Sequence, residues 1–130
     1  MIRGIDHVAI TVADLDATCA FYERVLGARV EEAYEIGGRI AVKRVAFGGA
    51  ILNIHQQGNG VDLVARLPTP GSVDICFRWQ GGIDAAKDML ESRGVTVIEG
   101  PVARNSADGI PGSSVYFRDP EGNLVELLAT

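Results

Sequence analysis

The sequence has few of the features that mark a nucleic-acid binder, a membrane protein or a disulfide-stabilised protein. Among its 130 residues the longest basic run is the pair Lys43–Arg44, and the net charge is −5 at pH 7, whereas nucleic-acid binders usually carry a basic stripe. No apolar segment approaches the roughly 18–20 residues of a membrane span. The two cysteines, Cys19 and Cys76, form no CxxC pair, and we expect both to be reduced, buried thiols.

The overall composition is that of an ordinary globular protein. The chain is 47% hydrophobic and 22% charged, and its length suits one domain with its own core. The first residues do not resemble a signal peptide, since their apolar run is interrupted by charged side chains. We therefore expect a cytoplasmic protein whose partner is a small molecule and neither a nucleic acid nor a membrane.

What the sequence does contain is a repeated order of elements. A strand-like segment, a helical pattern and three further strand-like runs follow one another at Asp6–Val12, Asp14–Leu26, Arg29–Glu35, Arg39–Phe47 and Ala50–Gln56. The same order returns at Ser72–Trp79, Ile83–Arg93, Val95–Glu99, Ser113–Arg118 and Leu124–Leu128. The repeat predicts an α+β fold of two tandem βαβββ modules, about residues 3–56 and 72–129, forming an incomplete barrel around one cavity.

Local signals support these boundaries, whereas two stretches of the chain do not fit the repeated order of elements. Asp14 suits a helix N-cap and Gly27 a helix end, while Gly37–Gly38 and Gly48–Gly49 suit two-residue hairpin turns. The segment Gln57–Gly71 joins the modules, and Gly100–Gly112 is predicted to be an irregular loop or a broken hairpin. Both stretches are either plain connectors or loops that carry function at the edge of the cavity.

Isolated polar side chains in the outer strands of each module are the candidate site. Strand alternation places His7, His55, Asp74 and Glu126 on the faces opposite the apolar ones. A mixed set of imidazoles and carboxylates suits Fe, Mn, Ni, Co or Zn better than Ca or Mg. Each residue also has a structural alternative, because a strand histidine is often only hydrogen-bonded. Likewise Asp74 could pair with Arg78, and Glu126 could pair with Arg44 or Arg118.

Longer segments resemble a known superfamily. DHVAITVADLDATCAFYERVLG is similar to the opening β-α segment of the vicinal oxygen chelate superfamily, and VYFRDPEGNLVELL is similar to its closing hairpin. That superfamily includes glyoxalase I, extradiol dioxygenases, and fosfomycin- and bleomycin-resistance proteins. AILNIHQQG, PTPGSVDICF and EGPVARNSADGIPGSSVYFRDPEGN most resemble the glyoxalase domain-containing protein 5 type.

The resemblance implies a metal site, and this sequence departs from the superfamily's pattern at two of its positions. His7 matches the ligand of the first strand and Glu126 that of the last strand. Asp74 stands where the superfamily usually has a histidine, although a carboxylate can also bind a metal. Asn53 occupies the position of a glutamate or glutamine in glyoxalase I, and His55 shares its face as a further ligand or substrate contact.

Two functions follow from the resemblance. The first is a metal-dependent lyase, isomerase or dioxygenase for a small oxygen-chelating substrate, with Glu126 as the catalytic residue. In it a divalent ion is held by His7, His55, Asp74 and Glu126, and the substrate is contacted by Asn53, Arg78, Arg104 and Tyr116. The alternative is a metal-free small-molecule or drug-binding protein of the bleomycin-resistance type. The likeness also implies a homodimer.

Overall fold

The two halves of the chain repeat one β-α-β-β-β order. The computed structural model describes residues 1–130 and divides into two units, residues 1–71 and 72–130. Each unit holds one helix and one four-stranded mixed sheet, which confirms the predicted α+β class with two βαβββ modules. Neither helix is long and apolar enough to serve as a membrane span.

The first unit orders its strands β1-β4-β3-β2. Its elements are β1 (Val8–Val12), α1 (Leu15–Leu26), β2 (Arg29–Ile36), β3 (Arg39–Phe47) and β4 (Ala50–Gln56). Strand β1 runs parallel to β4, and the other pairs are antiparallel. The outer position of β1 therefore brings the start of the chain beside the last strand of the unit.

The predicted limits of α1 are confirmed. Asp14 caps the helix, since its Oδ1 accepts a hydrogen bond from the Ala17 N–H at 3.0 Å, and such a cap contributes about 1 kcal/mol. Gly27 ends the helix in the left-handed conformation with φ 65°. Cys19, Tyr22 and Val25 are buried at the helical spacing that packs one face of α1 on the sheet.

The second unit orders its strands β5-β8-β7-β6. Its elements are β5 (Asp74–Arg78), α2 (Ile83–Ser92), β6 (Glu99–Asn105), β7 (Pro111–Arg118) and β8 (Leu124–Ala129). Strand β5 runs parallel to β8, and β7 is antiparallel to both β8 and β6. The topology therefore matches that of the first unit strand by strand.

The turn between β7 and β8 fixes the position of β5. The buried Asn123 donates from Nδ2 to Asp119 Oδ2 at 2.8 Å, and its Oδ1 accepts from the Val73 N–H at 3.0 Å. A buried amide with both ends bonded is costly to replace. This turn holds the start of β5 against the start of β8.

The prediction for the segment before β7 is partly wrong. Residues 95–98 are not a strand; β6 begins at Glu99, the last residue of the predicted strand, and continues to Asn105 through the region predicted to be irregular. The hairpin is nevertheless broken as predicted, by a register shift between Glu99 and Val102. Pro101 obscured β6 in the sequence, but proline is tolerated because β6 is an edge strand.

The prediction for the cysteines is also partly wrong. Both are free thiols and Cys19 is buried, but Cys76 is exposed. The difference arises because Cys76 alternates with the half-buried Ile75 and Phe77 and so lies on the face of the sheet that α2 does not cover. Its neighbours on that face are polar, as described below.

Candidate functional site

Each sheet has one apolar face and one face with isolated polar side chains. In the first unit Ile10, Val12, Leu52 and Ile54 are at most 5% exposed, which places them under α1. The alternating positions of β1 and β4 point the other way and include Asn53 and His55. We call this the open face, and the equivalent face of the second sheet carries Glu126.

His7 lies just before β1, in a pocket of the first unit. Its Nδ1 is 2.7 Å from Asp6 Oδ1. A carboxylate can only accept, so Nδ1 carries the hydrogen and Nε2 of the neutral ring keeps a lone pair. The pocket has a volume of about 380 Å³ and is lined by Asp6, His7, Glu31, Tyr34, Arg44, Ile51 and Asn53. An imidazole lone pair and several oxygen atoms thus share one cavity.

Asn53 supplies an unused acceptor to the same pocket. Its Oδ1 is buried and has no hydrogen-bond partner, which is uncommon in folded proteins. Its cross-strand neighbour Arg44 is engaged elsewhere, with Nε 3.7 Å from Glu31 Oε2 and Nη2 3.4 Å from Glu32 Oε2. The Asn53 oxygen is therefore available to a bound molecule.

His55 lies on the same face but in a different pocket. It pairs with Thr11, and four residues of extended chain separate Thr11 from His7, which corresponds to about 13 Å. Its Nδ1 accepts a hydrogen bond from Asn59 Nδ2 at 3.2 Å. Burial lowers the pKa of His55 below the ordinary range of an imidazole. Within this unit the two histidines therefore do not meet.

In the second unit Glu126 is surrounded by polar groups of three strands. Its Oε1 accepts a hydrogen bond from Ser114 Oγ at 2.6 Å. Cys76 lies opposite Glu126 on β5, and Tyr116 lies opposite it on β7. Asp74 is exposed and pairs with Leu124, two residues before Glu126 on β8. One carboxylate oxygen is thus held by a hydroxyl, and the Cys76 thiol is a further hydrogen-bonding neighbour of the carboxylate.

Cys76 is a neighbour of this carboxylate, and although part of the residue is exposed, its thiol is partly buried. Burial and then the charge and hydrogen bond of Glu126 raise the pKa of the Cys76 thiol to about 11. The thiol is therefore protonated at neutral pH and does not act as a nucleophile, which requires the thiolate.

This contact leads to a prediction for Glu126→Gln. We expect alkylation of Cys76 by iodoacetamide at neutral pH to become about threefold to tenfold faster, because removing the carboxylate charge lowers the thiol pKa and raises the thiolate fraction. Glu91→Gln on α2 is the matched control and should leave the rate unchanged. Equal rates in the original protein and in Glu126→Gln would contradict the contact.

The two arginines predicted to contact the substrate are each engaged by a different neighbouring side chain. Arg104 donates from Nε to the Tyr116 hydroxyl oxygen at 2.9 Å, and its guanidinium carbon lies 5.5 Å from the ring centroid. Arg78 Nη2 is 3.2 Å from Asp108 Oδ1, so Arg78 pairs with Asp108, and the alternative pairing with Asp74 is not formed. The pKa of Asp108 is lowered, first by the Ser106 hydroxyl and then by Arg78. Tyr116, whose oxygen already accepts from Arg104, keeps its own O–H for a ligand.

No three side chains of histidine, cysteine, aspartate or glutamate come together as a metal-binding group. His7 and His55 belong to the first unit, and Asp74 and Glu126 belong to the second. Sequence reasoning missed Asp6, Cys76 and Ser114. Ser114 and Tyr116 are two residues apart in SSVYF, as are Asp74 and Cys76 in β5, so each pair lies on one face of its strand. This spacing could have identified Ser114 and Cys76.

Comparison with known proteins gives the family. The profile described as the Glyoxalase/Bleomycin resistance protein/Dioxygenase superfamily matches residues 4–127. Other matching proteins are named as an ethylmalonyl-CoA/methylmalonyl-CoA epimerase, a metallothiol transferase and a lactoylglutathione lyase. Members of the family thus carry out different reactions.

Three relatives can be described individually. Glyoxalase domain-containing protein RDO1 of Mycosarcoma maydis is 42% identical over 97% of this chain and 68% of its own. Virulence protein STM3117 of Salmonella typhimurium is 38% identical over 98% of this chain and 84% of its own. The crystal structure of STM3117 has a TM-score of 0.85, covering 99% of this chain and 98% of that one.

The third relative has a metal in its structure. The fosfomycin resistance protein FosX of Listeria monocytogenes, crystallised with Mn(II) and a sulfate ion, is 25% identical with a TM-score of 0.67. The match covers 99% of this chain and 91% of that one. With the profile matching nearly the whole chain and two relatives above 30% identity, this protein belongs to the Glyoxalase/Bleomycin resistance protein/Dioxygenase superfamily.

Proposed function

We propose that this protein is a metal-dependent enzyme that acts on a small substrate with chelating oxygen atoms, by lyase, isomerase or dioxygenase chemistry. The observation that supports this proposal is that a neighbouring side chain orients each of the two main ligands: Asp6 holds Nδ1 of His7, and Ser114 holds Oε1 of Glu126. A histidine oriented by a carboxylate and a carboxylate oriented by a hydroxyl are what a metal site requires around its ligands.

The donor set fits a divalent transition ion. His7 offers Nε2, since Asp6 engages its Nδ1, and Glu126 offers a carboxylate that Ser114 orients through Oε1. The unpartnered Oδ1 of Asn53 lies in the pocket of His7, and Asp74 shares the face of Glu126. Imidazole and carboxylate ligands suit Mn, Fe, Co, Ni or Zn, and the Mn(II) in FosX supports this choice.

His55 is left out of the proposed ligand set. Asn59 donates to its Nδ1, so a neutral His55 carries its hydrogen on Nε2 and has no lone pair to offer there. We propose His7 and Glu126 as the principal ligands, with Asp74 as a further one.

The proposed chemistry divides between the ion and the protein. A divalent ion held by His7 and Glu126 would supply Lewis acidity toward a substrate oxygen. An asparagine cannot take up a proton, so the carboxylates of Glu126 and Asp74 are the proposed bases. Ser114 holds Glu126 in place through Oε1, and Tyr116 positions the substrate through its free O–H. Arg104 fixes the Tyr116 ring, and Arg78 is a more distant substrate contact.

Three narrower expectations belong to the proposal. We propose the glyoxalase domain-containing protein 5 type, on the likeness of AILNIHQQG and PTPGSVDICF. A homodimer follows from the family resemblance. A cytoplasmic location is supported by the two free thiols, because reduced cysteines are the rule in that compartment.

Metal analysis of protein purified without chelators tests the proposal. We expect about one divalent ion per chain, because one imidazole and two carboxylates make up the three protein ligands of a catalytic ion with an open position. A protein that binds no metal under any loading would overturn the proposal and favour a metal-free drug-binding protein of the bleomycin-resistance type. Turnover of the methylglyoxal–glutathione hemithioacetal with Ni, Co, Zn and Mn then tests the glyoxalase reaction, and silence with all four would exclude it.

A further inference from the structure

A second pocket of the first unit lies beneath the segment that follows β4. It has a volume of about 150 Å³, and Thr11, His55, Asn59, Val61, Val64 and Pro68 are among its lining residues. None of its lining residues is charged. The lining also includes the amide side chains of Gln56 and Gln57, and a cavity of about 150 Å³ can hold a molecule the size of benzene. The pocket is therefore large enough for a small uncharged ligand, and it is separate from the pocket of His7.

The orientation of the Asn59 side chain follows from its backbone partners. Asn59 Oδ1 accepts from the Val61 N–H at 2.9 Å, and Nδ2 donates to the Ala41 carbonyl oxygen at 2.9 Å. An N–H can only donate and a carbonyl can only accept. These two bonds therefore determine which atom of the amide is nitrogen, and that nitrogen also faces His55 at 3.2 Å.

The Asn59 amide in turn determines the tautomer of His55. Because Asn59 offers a hydrogen, His55 Nδ1 must present its lone pair, and the hydrogen of the neutral ring lies on Nε2. Burial lowers the pKa of His55, which keeps the ring neutral at pH 7. Apart from His55 itself, no acidic or basic side chain lines the pocket, so no neighbouring charge there counteracts the effect of burial on the His55 pKa. His55 is thus a fixed, uncharged hydrogen-bond donor at a pocket with no charged side chain.

We infer that this pocket binds a small neutral carbonyl compound, or the carbonyl end of a larger one, whose oxygen accepts a hydrogen bond from His55 Nε2. Asn59 is the positioning residue that makes this donor available. An uncharged lining offers no partner for the charge of a buried carboxylate, which is therefore costly to bind. The site thus selects a ketone, aldehyde or amide over an acid. The inference is independent of the metal proposed at His7 and Glu126.

The test uses chelator-treated protein and two probes of equal shape. Cyclopentanone has the acceptor oxygen, and methylenecyclopentane replaces that oxygen by a CH₂ group. We expect cyclopentanone to bind about threefold to tenfold more tightly, as one neutral hydrogen bond allows, and to shift the His55 ring resonances in NMR titrations. His55→Phe should remove this preference, whereas His7→Phe should retain it. Preference that survives in His55→Phe, or shifts centred on His7, would overturn the inference.

Nitrogen NMR of the His55 ring tests the role of Asn59 directly. We expect Nε2 to be protonated and Nδ1 to be unprotonated at about pH 8, where an unperturbed imidazole is neutral. Asn59→Asp should reverse the two, because a carboxylate accepts a hydrogen from Nδ1, and should also remove the preference for cyclopentanone. A wild-type ring protonated on Nδ1, or an unchanged tautomer in Asn59→Asp, would overturn the assignment.

Discussion

Replacing His7 or Glu126 by alanine is expected to lower the affinity for a divalent ion by more than about a hundredfold. Loss of a group that only orients a ligand typically costs about 10- to 100-fold, and these substitutions remove the ligand atoms themselves. Competition titration against a chromophoric chelator gives the affinities, and metal analysis gives the content per chain. Circular dichroism should show both variants folded, since His7 is exposed and Glu126 is only half-buried.

His55→Ala is the matched control for this prediction. It removes the other histidine of the chain, which also lies on the open face of the first unit, yet it should keep the metal because Asn59 engages its Nδ1. Full metal retention in both His7→Ala and Glu126→Ala would refute the proposed site. Loss of metal in His55→Ala alone would instead assign the ion to the smaller pocket.

Gly100→Ala is expected to lower the free energy of unfolding by about 3–4 kcal/mol. Gly100 has a φ of 100°, and an added Cβ would lie 2.3 Å from the Ser114 carbonyl oxygen. A strained backbone costs about 1–3 kcal/mol, and the contact with backbone atoms adds to it because neither strand can move freely. The midpoint of thermal unfolding should fall by about 10 °C or more.

Gly49→Ala is the control for this substitution. Gly49 does not have a positive φ, and nothing lies within 4 Å of the position of its Cβ. We expect a change of less than about 1 kcal/mol in either direction. A similar loss in both variants would mean that the close approach of β6 to β7 at Gly100 does not limit stability. If only Gly100→Ala is destabilised, its metal affinity should be measured as well. The added Cβ would contact Ser114, which hydrogen-bonds to the proposed ligand Glu126.

Much of the fold could be predicted because its signals are local. The cap at Asp14, the left-handed Gly27 and the paired glycines of the hairpins each act within a few residues. Strand alternation correctly placed Asn53 and Glu126 opposite the apolar faces. The exception was β6, where Pro101 suggested irregular structure. Its edge position, which makes proline acceptable, is a property of the whole sheet.

The site was less predictable because its polar contacts join residues distant in sequence. Nothing in the spacing shows that Ser114 bonds Glu126 or that Arg78 pairs with Asp108. The two histidines looked equivalent on strand alternation alone. Only their partners distinguish them, since the carboxylate of Asp6 frees Nε2 of His7 while the amide of Asn59 uses the lone pair of His55.

The sequence by itself determined the repeated module, the polar face of each sheet and the membership of the superfamily. These features depend on the order of elements along the chain and on the two-residue alternation of side chains in a strand, and both can be seen in the sequence. The tertiary structure decided which polar atoms remain free for a ligand. That depends on hydrogen bonds across strands and loops, whose direction is fixed by groups that can only donate or only accept.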